Sequence, residues 1–403
     1  MNKKTIINKE WDNIFYKYGE KYVFSNHAFP LYLFTERLYK ELKTNGVKDV
    51  LFMSREGQFL KKLFDCYCKI QNEFGLDPMN IKTHYFFGSR NSTMAASLAP
   101  LENESFELLF RFFTFLNSES FMHSIGFSKD QISEVGKSLK SNINLYHFNY
   151  HKSKCFKELK QNEAFKRIYD ENRKNQKEAF LRYINSFGLD YKQDGLVFVD
   201  IGYHGTMQDL INKFFNSKVN MKGYFVKNRS PKEECEYKIG LLSDKTNTRF
   251  PGEQINSYDA YNYEQLLRAD HGRCLDYKIV GEYAEPIIDI ELDDIEVFEK
   301  YVKEMQSQIF DKFELITKKA IQEKTDITNL CIIYYYETIK NKSMYDYNWI
   351  IDMQDTSHDD FGIVGYFGRF FPKGLRKAVF KAKDHIFLLK NKKYIKKLKT
   401  TNS

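Results

Sequence analysis

The sequence predicts an α/β fold: a mostly parallel sheet with flanking helices, a helical insertion and C-terminal helices. Three observations lead to this fold class. Short apolar runs alternate with stretches of helical spacing, the run from Leu196 to Val199 is apolar throughout, and turns rich in glycine or charge follow several runs. Repeated strand-turn-helix units favour parallel pairing, because a parallel pair needs a crossover connection between its strands.

The N-terminal part of the chain contains two such units. Its first predicted helix has apolar residues at helical spacing and ends at Asn45-Gly46, a residue pair common at helix C-termini. A strand, a helix, a second strand and the start of another helix follow. The predicted bounds are 28–45 for the first helix, 47–53 for the first strand, 58–70 for the second helix and 83–87 for the second strand.

The rest of the chain is predicted to be helical in its middle and mixed after that. Residues 104–139, rich in phenylalanine, predict an all-helical insertion, and 156–187 predict one long helix or a broken pair. Strands are predicted at 196–199, 223–226 and 236–242, and amphipathic helices at 295–322 and 327–339. The predicted parts are an α/β domain at 1–290 with its insertion at about 104–190, a helical subdomain at 291–361 and a basic amphipathic tail at 362–403.

Positive charge is concentrated in the tail. The chain has a formal net charge of +8, but residues 362–403 carry twelve Lys and Arg against Asp384 alone, so the remaining residues sum to −3. Apolar residues are interspersed among these cations, which is typical of a helix that lies on an anionic membrane surface. A solvated tail and a nucleic-acid-binding tail are the alternatives, and no nucleic-acid-binding module accompanies the tail; we expect no nucleic acid partner.

Cysteine usage and hydropathy bear on location. Six cysteines are scattered along the chain, and the sequence shows neither a signal peptide nor a run of about 18 apolar residues. These features predict reduced thiols, a cytoplasmic protein and no spanning helix.

The turn that follows the strand at 196–199 is the most informative segment. Asp200 stands at the strand end, Gly202 and Gly205 punctuate the turn, and Thr206 begins a helix. Ligands of α/β sheets bind beyond the carboxyl ends of the strands, and a helix N-terminus offers free N–H groups to a phosphate. The segment therefore predicts a phosphate site beside a carboxylate. The alternatives are that the glycines serve only the tight turn and that His204 is a capping or packing residue.

Two further turns carry arginine. Ser54-Arg55-Glu56-Gly57 follows the first predicted strand, and Ser89-Arg90 follows the second. Arginine suits phosphate because its planar guanidinium donates two parallel hydrogen bonds and keeps its charge. A salt-bridged turn is the alternative for Arg55 and Glu56, and Arg90 alone is not specific. Taken together, the three turns predict a site for a phosphorylated ligand.

Four segments carry a family resemblance. They are residues 51–60 (LFMSREGQFL), 85–93 (YFFGSRNST), 199–208 (VDIGYHGTMQ) and 263–277 (YEQLLRADHGRCLDY). In this order they resemble successive motifs of the glycan phosphoribosyltransferase domains of bacterial polysaccharide clusters, which are often fused to a haloacid-dehalogenase-type phosphatase. The resemblance covers residues 49–277.

This resemblance implies a donor, an acceptor and a location. The reaction would transfer ribose 5-phosphate from phosphoribosyl pyrophosphate to a hydroxyl of a glycan, expected to be linked to a polyprenyl lipid. A separate phosphatase would then remove the phosphate and leave ribofuranose. With the basic tail, this predicts a peripheral position at the inner face of the bacterial cytoplasmic membrane.

The resemblance also assigns roles to residues. Asp200 would hold the ribose hydroxyls and a Mg²⁺ ion, the loop from His204 to Thr206 the 5-phosphate, and the turn from Ser54 to Gly57 the pyrophosphate. Arg55, Arg90 and Mg²⁺ would stabilise the leaving charge, and Glu56 or His204 would accept the acceptor's proton. Gln208, Glu264 and His271 are assigned to the acceptor or to supporting positions. One departure is Ile201, which stands where ordinary members carry a second acid.

Three other functions compete with this one. A haloacid-dehalogenase phosphatase shares the strand-Asp signature but needs an acid two residues after the nucleophile, where Gly202 stands. A nucleotide-sugar glycosyltransferase would use Asp293-Asp294 as a metal pair, although acids at a helix start are favoured by the helix dipole in any case. A non-catalytic scaffold of a glycan assembly complex is the third alternative, and a scaffold would bind no donor.

Overall fold

The computed structural model describes residues 10–15, 23–74, 78–113, 115–234, 236–246, 250, 255, 260–290, 292–356 and 372–401. The predicted α/β fold class is confirmed: five strands form an all-parallel sheet of order β2-β1-β5-β6-β7, and helices cover both faces. The strands are β1 (Asp49–Met53), β2 (Lys82–Phe86), β3 (Phe115–Leu116), β4 (His147–Phe148), β5 (Leu196–Asp200), β6 (Met221–Asn228), β7 (Lys238–Asp244), β8 (Cys274–Val280) and β9 (Tyr283–Ile288).

The helices follow the strands in the order that crossover connections require. They are α1 (Ala28–Thr44), α2 (Gly57–Glu73), α3 (Arg90–Ser97), α4 (Glu107–Phe112), α5 (Ser118–Ser124), α6 (Lys129–Ser138), α7 (Lys154–Gln161), α8 (Glu163–Asn185), α9 (Thr206–Phe214), α10 (Ala260–Leu266), α11 (Leu292–Val297), α12 (Lys303–Glu323), α13 (Thr328–Lys340), α14 (Met344–Thr356) and α15 (Lys373–Thr401). The predicted helix at 295–322 is α11 and α12 joined by a π-helical segment, Phe298–Val302.

Strand alternation divides the sheet into two buried faces. Phe52 and Val199 join a core that includes α1, α2, α12 and α13, whereas Met53 and Phe198 join a core with α8, α9 and the β8-β9 hairpin. Both faces are therefore covered, which explains the apolar run from Leu196 to Val199 in β5. The hydrophobic core of the first face extends continuously from α1 to Leu398 in α15.

The insertion builds a third core of its own, centred on phenylalanines of α4, α5 and α7. The prediction of an all-helical insertion is wrong, because β3 and β4 pair antiparallel within it. Asn162 separates α7 from α8 and caps α8, since its side chain accepts a hydrogen bond from the backbone N–H of Phe165. The sequence at 156–187 is thus a broken helix pair, the second of the two predicted forms.

The β8-β9 hairpin was not predicted. Its strands pair antiparallel around Gly281, whose φ of +63° suits a tight turn. The hairpin packs on α8, and Tyr277 reaches back to the carboxyl end of β2, where its hydroxyl donates to the backbone oxygen of Phe87 at 2.7 Å. It therefore supports the turn that carries Arg90.

The described part of the tail is the long helix α15, and residues 362–371 lie outside the described residues. The helix packs on α13 and α14: Phe387 stacks on Tyr336 with ring centroids 5.6 Å apart, and Asp384 accepts a hydrogen bond from the Tyr347 hydroxyl at 2.8 Å. One face of α15 is thus part of the core. Among the residues described, no helix combines the length and the apolar composition needed to cross a bilayer.

Candidate functional site

Strand register brings the three predicted turns to one edge of the sheet. Met53 pairs with Phe86, and Phe52 pairs with Val199, so β1, β2 and β5 end at nearly the same level. Because all three strands are parallel, the turns at 54–56, 87–89 and 201–205 leave the same edge. Segments separated by about 35 and 145 residues along the chain therefore become neighbours at the place where α/β proteins bind ligands.

Ser54 fastens the first two turns together. Its hydroxyl donates to the backbone oxygen of Gly88 at 2.7 Å and accepts from the N–H of Gly88 at 2.9 Å. Its own N–H donates to the oxygen of Phe86 at 2.9 Å. This hydroxyl, predicted to contact phosphate, thus bonds to protein, while Arg55 and Glu56 lie half-buried beside it and Gly57 begins α2.

Arg90 is the first residue of α3, and Ser89 caps that helix. The Ser89 side chain accepts from the N–H of Ser92, and the Ser92 hydroxyl accepts from the N–H of Ser89, so a capping box fixes the helix start. The sequence therefore places a guanidinium and the positive end of a helix at the same turn.

The turn after β5 requires glycine at position 202. Gly202 has a φ of +114°, and a Cβ atom there would overlap the carbonyl oxygen of Lys227. The neighbouring strand β6 and the residue after it hold the turn closely. The backbone N–H of Lys227 donates to the backbone oxygen of Ile201 at 3.0 Å, and that of Arg229 donates to the backbone oxygen of Tyr203 at 2.8 Å. Gly205, with a φ of +65°, leads into α9 and leaves its N-terminal N–H groups facing the same edge, with Thr206 as the first helical residue.

A buried lysine anchors this turn from below. The Nζ atom of Lys238 donates to the backbone oxygen of His204 at 2.8 Å and pairs with Asp209 at 2.5 Å and Glu234 at 2.7 Å. The Ser230 hydroxyl donates to the same backbone oxygen at 3.1 Å. The peptide between His204 and Gly205 therefore has a fixed orientation before any ligand arrives.

Asp200 is the electrostatic centre of the edge. Burial raises the pKa of its carboxyl to about 8, and the nearby Glu56 carboxylate contributes to the rise. The backbone N–H groups of Ile201, at 2.7 Å, and Gly202 oppose the rise, as does the positive charge of Arg90. Glu56 and Arg90, which come from two other predicted turns, thus interact electrostatically with Asp200. Strongly shifted carboxyl pKa values are typical of functional sites.

His204 lies on the exposed side of the turn. Desolvation and the positive charges of Arg229, Lys238 and Arg111 lower the pKa of its imidazole. The ring is therefore neutral at pH 7 and can accept a proton, which fits its predicted role as a base.

His271 supports the arginine turn from behind. Its Nδ1 donates to the carbonyl oxygen of Gly272 at 2.7 Å, and because a carbonyl only accepts, Nε2 accepts from the Tyr85 hydroxyl at 2.7 Å. Tyr85 Oη also lies 3.3 Å from the backbone oxygen of Arg55. Burial lowers the pKa of His271, which keeps this neutral arrangement. Of its two predicted roles, the contacts of His271 match the supporting one.

The other two residues assigned to the acceptor or to support lie at different depths. Burial raises the pKa of Tyr203, and Glu264, which accepts a hydrogen bond from this phenol, adds to the rise, so Glu264 belongs to the wall of the β5 turn. Gln208 is buried against the backbone of Gly223, and its Nε2 atom has no hydrogen-bond partner within the part of the chain that the structure describes.

A Mg²⁺ ion fits this edge only together with a phosphorylated ligand. Among the described residues there is no cluster of three or more His, Cys, Asp or Glu side chains arranged to hold a metal. Mg²⁺ bound with a nucleotide or pyrophosphate needs just one or two protein carboxylates, because phosphate oxygens and water complete its shell. Asp200, which must release its proton to bind a cation, and the nearby Glu56 are groups of this type.

Sequence reasoning missed Tyr85, Arg229 and Lys238. Arg229 follows β6 directly, so the rule that selected the other turns, a charged residue at the carboxyl end of a strand, also selects it. Lys238 opens β7, and nothing local marks it, because its role depends on β7 lying next to β6.

Comparison of the chain with models of known protein families and with curated proteins finds no match. Inferences about function therefore depend on the geometry of this edge and on the four resembling segments.

Proposed function

We propose that the protein transfers ribose 5-phosphate from phosphoribosyl pyrophosphate to a hydroxyl of a glycan. The observation that carries the proposal is the meeting of Glu56, Arg90 and Asp200 at one edge of the sheet, beside the N-terminus of α9. A donor with a monophosphate at one end and a pyrophosphate at the other matches an edge with two separate anion-binding turns.

Each turn has a distinct task in this reaction. The N–H groups at the start of α9 bind the 5-phosphate, and Arg55 and Arg90 bind the pyrophosphate. Asp200 holds the ribose hydroxyls between them. A bound Mg²⁺, held by Asp200 and the donor's phosphate oxygens, would neutralise part of the pyrophosphate charge.

The transfer step breaks the bond between C1 and the pyrophosphate oxygen, and pyrophosphate leaves with the bonding electron pair. The acceptor's hydroxyl oxygen forms the new bond to C1 from the opposite face, so an α donor gives a β-ribofuranoside. The hydroxyl proton passes to Glu56 or to neutral His204. Arg55 and Arg90 stabilise the leaving charge, because fixed cations at a partly buried edge act more strongly than in water.

Calorimetry with phosphoribosyl pyrophosphate and Mg²⁺ tests the proposal. The parent chain should bind the donor, and Arg90→Ala should weaken binding at least about tenfold, since a charge-assisted hydrogen bond contributes about 1.5 to 3 kcal/mol. Arg167→Ala is the matched control, because Arg167 is an exposed arginine of α8 that forms ion pairs with Glu134 and Glu171. Absence of donor binding in the parent chain would overturn the proposal and favour the scaffold.

A second assay separates transfer from phosphatase chemistry. With donor and a polyprenyl-linked glycan, the parent chain should release pyrophosphate, and a phosphatase added later should release inorganic phosphate from the product. Hydrolysis of p-nitrophenyl phosphate that Asp200→Asn abolishes would instead support a phosphatase.

We also propose that the outer face of α15 rests on an anionic membrane surface. Four apolar side chains, each between 44% and 55% exposed, recur every three, four or seven residues along that face: Leu375, Val379, Ile386 and Leu389. At 100° per residue, exposed lysines such as Lys390 and Lys396 lie on either side of this stripe. An apolar stripe between rows of cations fits a surface of anionic headgroups.

Co-sedimentation with vesicles tests this placement. The full chain should bind vesicles that contain phosphatidylglycerol, less so at high salt, and Ile386→Asp should reduce binding at least about fivefold. Leu315→Asp, on the exposed side of α12, is the control for a charge placed on another exposed leucine. Equal binding by the Ile386 variant and the parent chain would contradict the proposal.

A further inference from the structure

An exposed group of aromatic rings lies on the insertion, and we call it the aromatic platform. It consists of Phe115, Tyr146 and Phe148. Phe115 is half-buried and holds two neighbours, with its ring centroid 5.0 Å from that of Tyr146 and 4.7 Å from that of Phe148. Phe148 is 78% exposed and Tyr146 48% exposed, so their ring faces are open to solvent.

Exposure on this scale requires an explanation. Phe148 belongs to β4, whose antiparallel pairing with β3 fixes its backbone beside Phe115. The rings are thus held in a defined arrangement although they bury little surface in the fold. Ordered, contiguous and exposed aromatic rings mark a place where another molecule binds.

The path of α4 connects the platform to the site. Before α4, Glu104 pairs with Lys213 at the C-terminal end of α9, at 2.7 Å. Near the end of α4, the positive charge of Arg111 interacts electrostatically with Asp209 and His204 at the N-terminal end of α9. The chain therefore runs along α9 toward the sheet edge that carries Asp200, and Phe115 follows four residues after Arg111.

The neighbours of the rings indicate the chemistry of the ligand. The Tyr146 hydroxyl lies 3.5 Å from the half-buried Ser120 hydroxyl. Hydroxyl groups thus lie at the edge of an apolar surface. A sugar ring has the matching form, since its axial C–H groups make one face apolar and its hydroxyls make the rim polar.

We propose that the aromatic platform binds a pyranose unit of the glycan acceptor and directs the acceptor hydroxyl toward the turn at His204. This inference deepens the proposed function, and it rests on that function in treating the bound sugar as part of the acceptor. The binding surface itself is defined by the platform alone, so it can be tested without the donor.

Saturation-transfer NMR with methyl β-D-glucopyranoside and methyl β-D-galactopyranoside tests binding. We expect saturation of the ring C–H protons with the parent chain and at least a fivefold smaller effect with Phe148→Ser and with Tyr146→Ser, because each removes a stacking face. Tyr283→Ser is the matched control: Tyr283 is also 48% exposed but lies on the β8-β9 hairpin. Circular dichroism checks that the variants fold, as their exposure predicts.

Two results would overturn the proposal. The first is an equal saturation effect in the parent chain and both platform variants, or none in any of them. The second is a parent dimer that Phe148→Ser converts to a monomer in analytical ultracentrifugation, which would assign the platform to self-association. Calorimetry with phosphoribosyl pyrophosphate on the same variants should show unchanged donor binding. Donor binding without pyranoside binding would refute the platform alone, and pyranoside binding without donor binding would refute the transferase while retaining a glycan surface.

Discussion

Replacing Asp200 by asparagine should stabilise the protein at neutral pH while it removes donor binding. Burial raises the pKa of Asp200 from its ordinary value of 3.8 to about 8, so the folded chain keeps a proton that the unfolded chain releases. Folding therefore becomes less favourable as pH rises through this window. Asparagine has nearly the same shape as the protonated acid, and its oxygen can accept from the same backbone N–H groups.

The size of the effect follows from proton linkage. Between pH 4 and pH 7 the unfolded chain ionises this carboxyl and the folded chain does not, which costs about 1.4 kcal/mol per pH unit and about 4 kcal/mol in all. For a chain of 403 residues, a gain of this size corresponds to an increase in Tm of about 5 °C. At pH 4 the advantage of the variant should nearly vanish, because this pH lies close to the ordinary pKa of 3.8 and the unfolded chain is then only partly ionised at this carboxyl.

Thermal unfolding in EDTA, measured from pH 4 to pH 8 by calorimetry, tests this prediction. The Tm difference between Asp200→Asn and the parent chain should grow steadily with pH, whereas Asp130→Asn, at an exposed residue of α6, should show no such trend. Donor calorimetry on the same variants, with Mg²⁺ in place of EDTA, should show binding lost only for the Asp200 variant. A Tm difference that is zero or negative at pH 7 would refute the burial argument for Asp200.

Three further substitutions probe the supports of the site and of the insertion. Lys238→Met should destabilise the protein by about 3 to 5 kcal/mol and weaken donor binding, because it leaves Asp209 without its lysine partner and releases the His204 peptide; an unchanged Tm would contradict this. Gly202→Ala should lower stability by more than about 2 kcal/mol, whereas Gly46→Ala, at a φ of +61° in open space, should cost about 1 kcal/mol; denaturant titrations compare the two. Glu104→Ala should lower Tm, because the backbone N–H groups of Ala99 and Phe106 lose their acceptor and each unsatisfied group costs about 1 to 3 kcal/mol of stability. The same variant should leave pyrophosphate binding intact in calorimetry.

The sheet could be predicted from the sequence because its strands are marked locally. The apolar run from Leu196 to Val199 in β5 and the turns after β1 and β2 identify parallel strands buried on both faces. The β8-β9 hairpin could not be predicted in the same way, since β8 alternates buried and exposed residues unevenly around a bulge between Cys274 and Asp276. Its pairing is decided by packing on α8, which no local pattern records.

The site could be predicted only as far as it follows strand ends. Asp200 and Arg90 were found because each stands at a strand-to-helix turn, and register alone brings them together. The tail shows the limit of such reasoning, because a helical wheel with two apolar stripes does not reveal which stripe faces the protein. In α15 the stripe with Phe387 faces the core, and the stripe with Ile386 is left outside.

The bonds of Ser54 to Gly88 have a consequence for selectivity. They tie the backbones of the two arginine turns together, so the points from which the Arg55 and Arg90 side chains extend keep a constant spacing. In the proposed function, two cations that extend from fixed points would favour a diphosphate of matching span over a monophosphate, which reaches one of them, and over a triphosphate, which extends past them. Discrimination among phosphate esters would then originate in a serine hydroxyl that bonds to the backbone of the neighbouring turn.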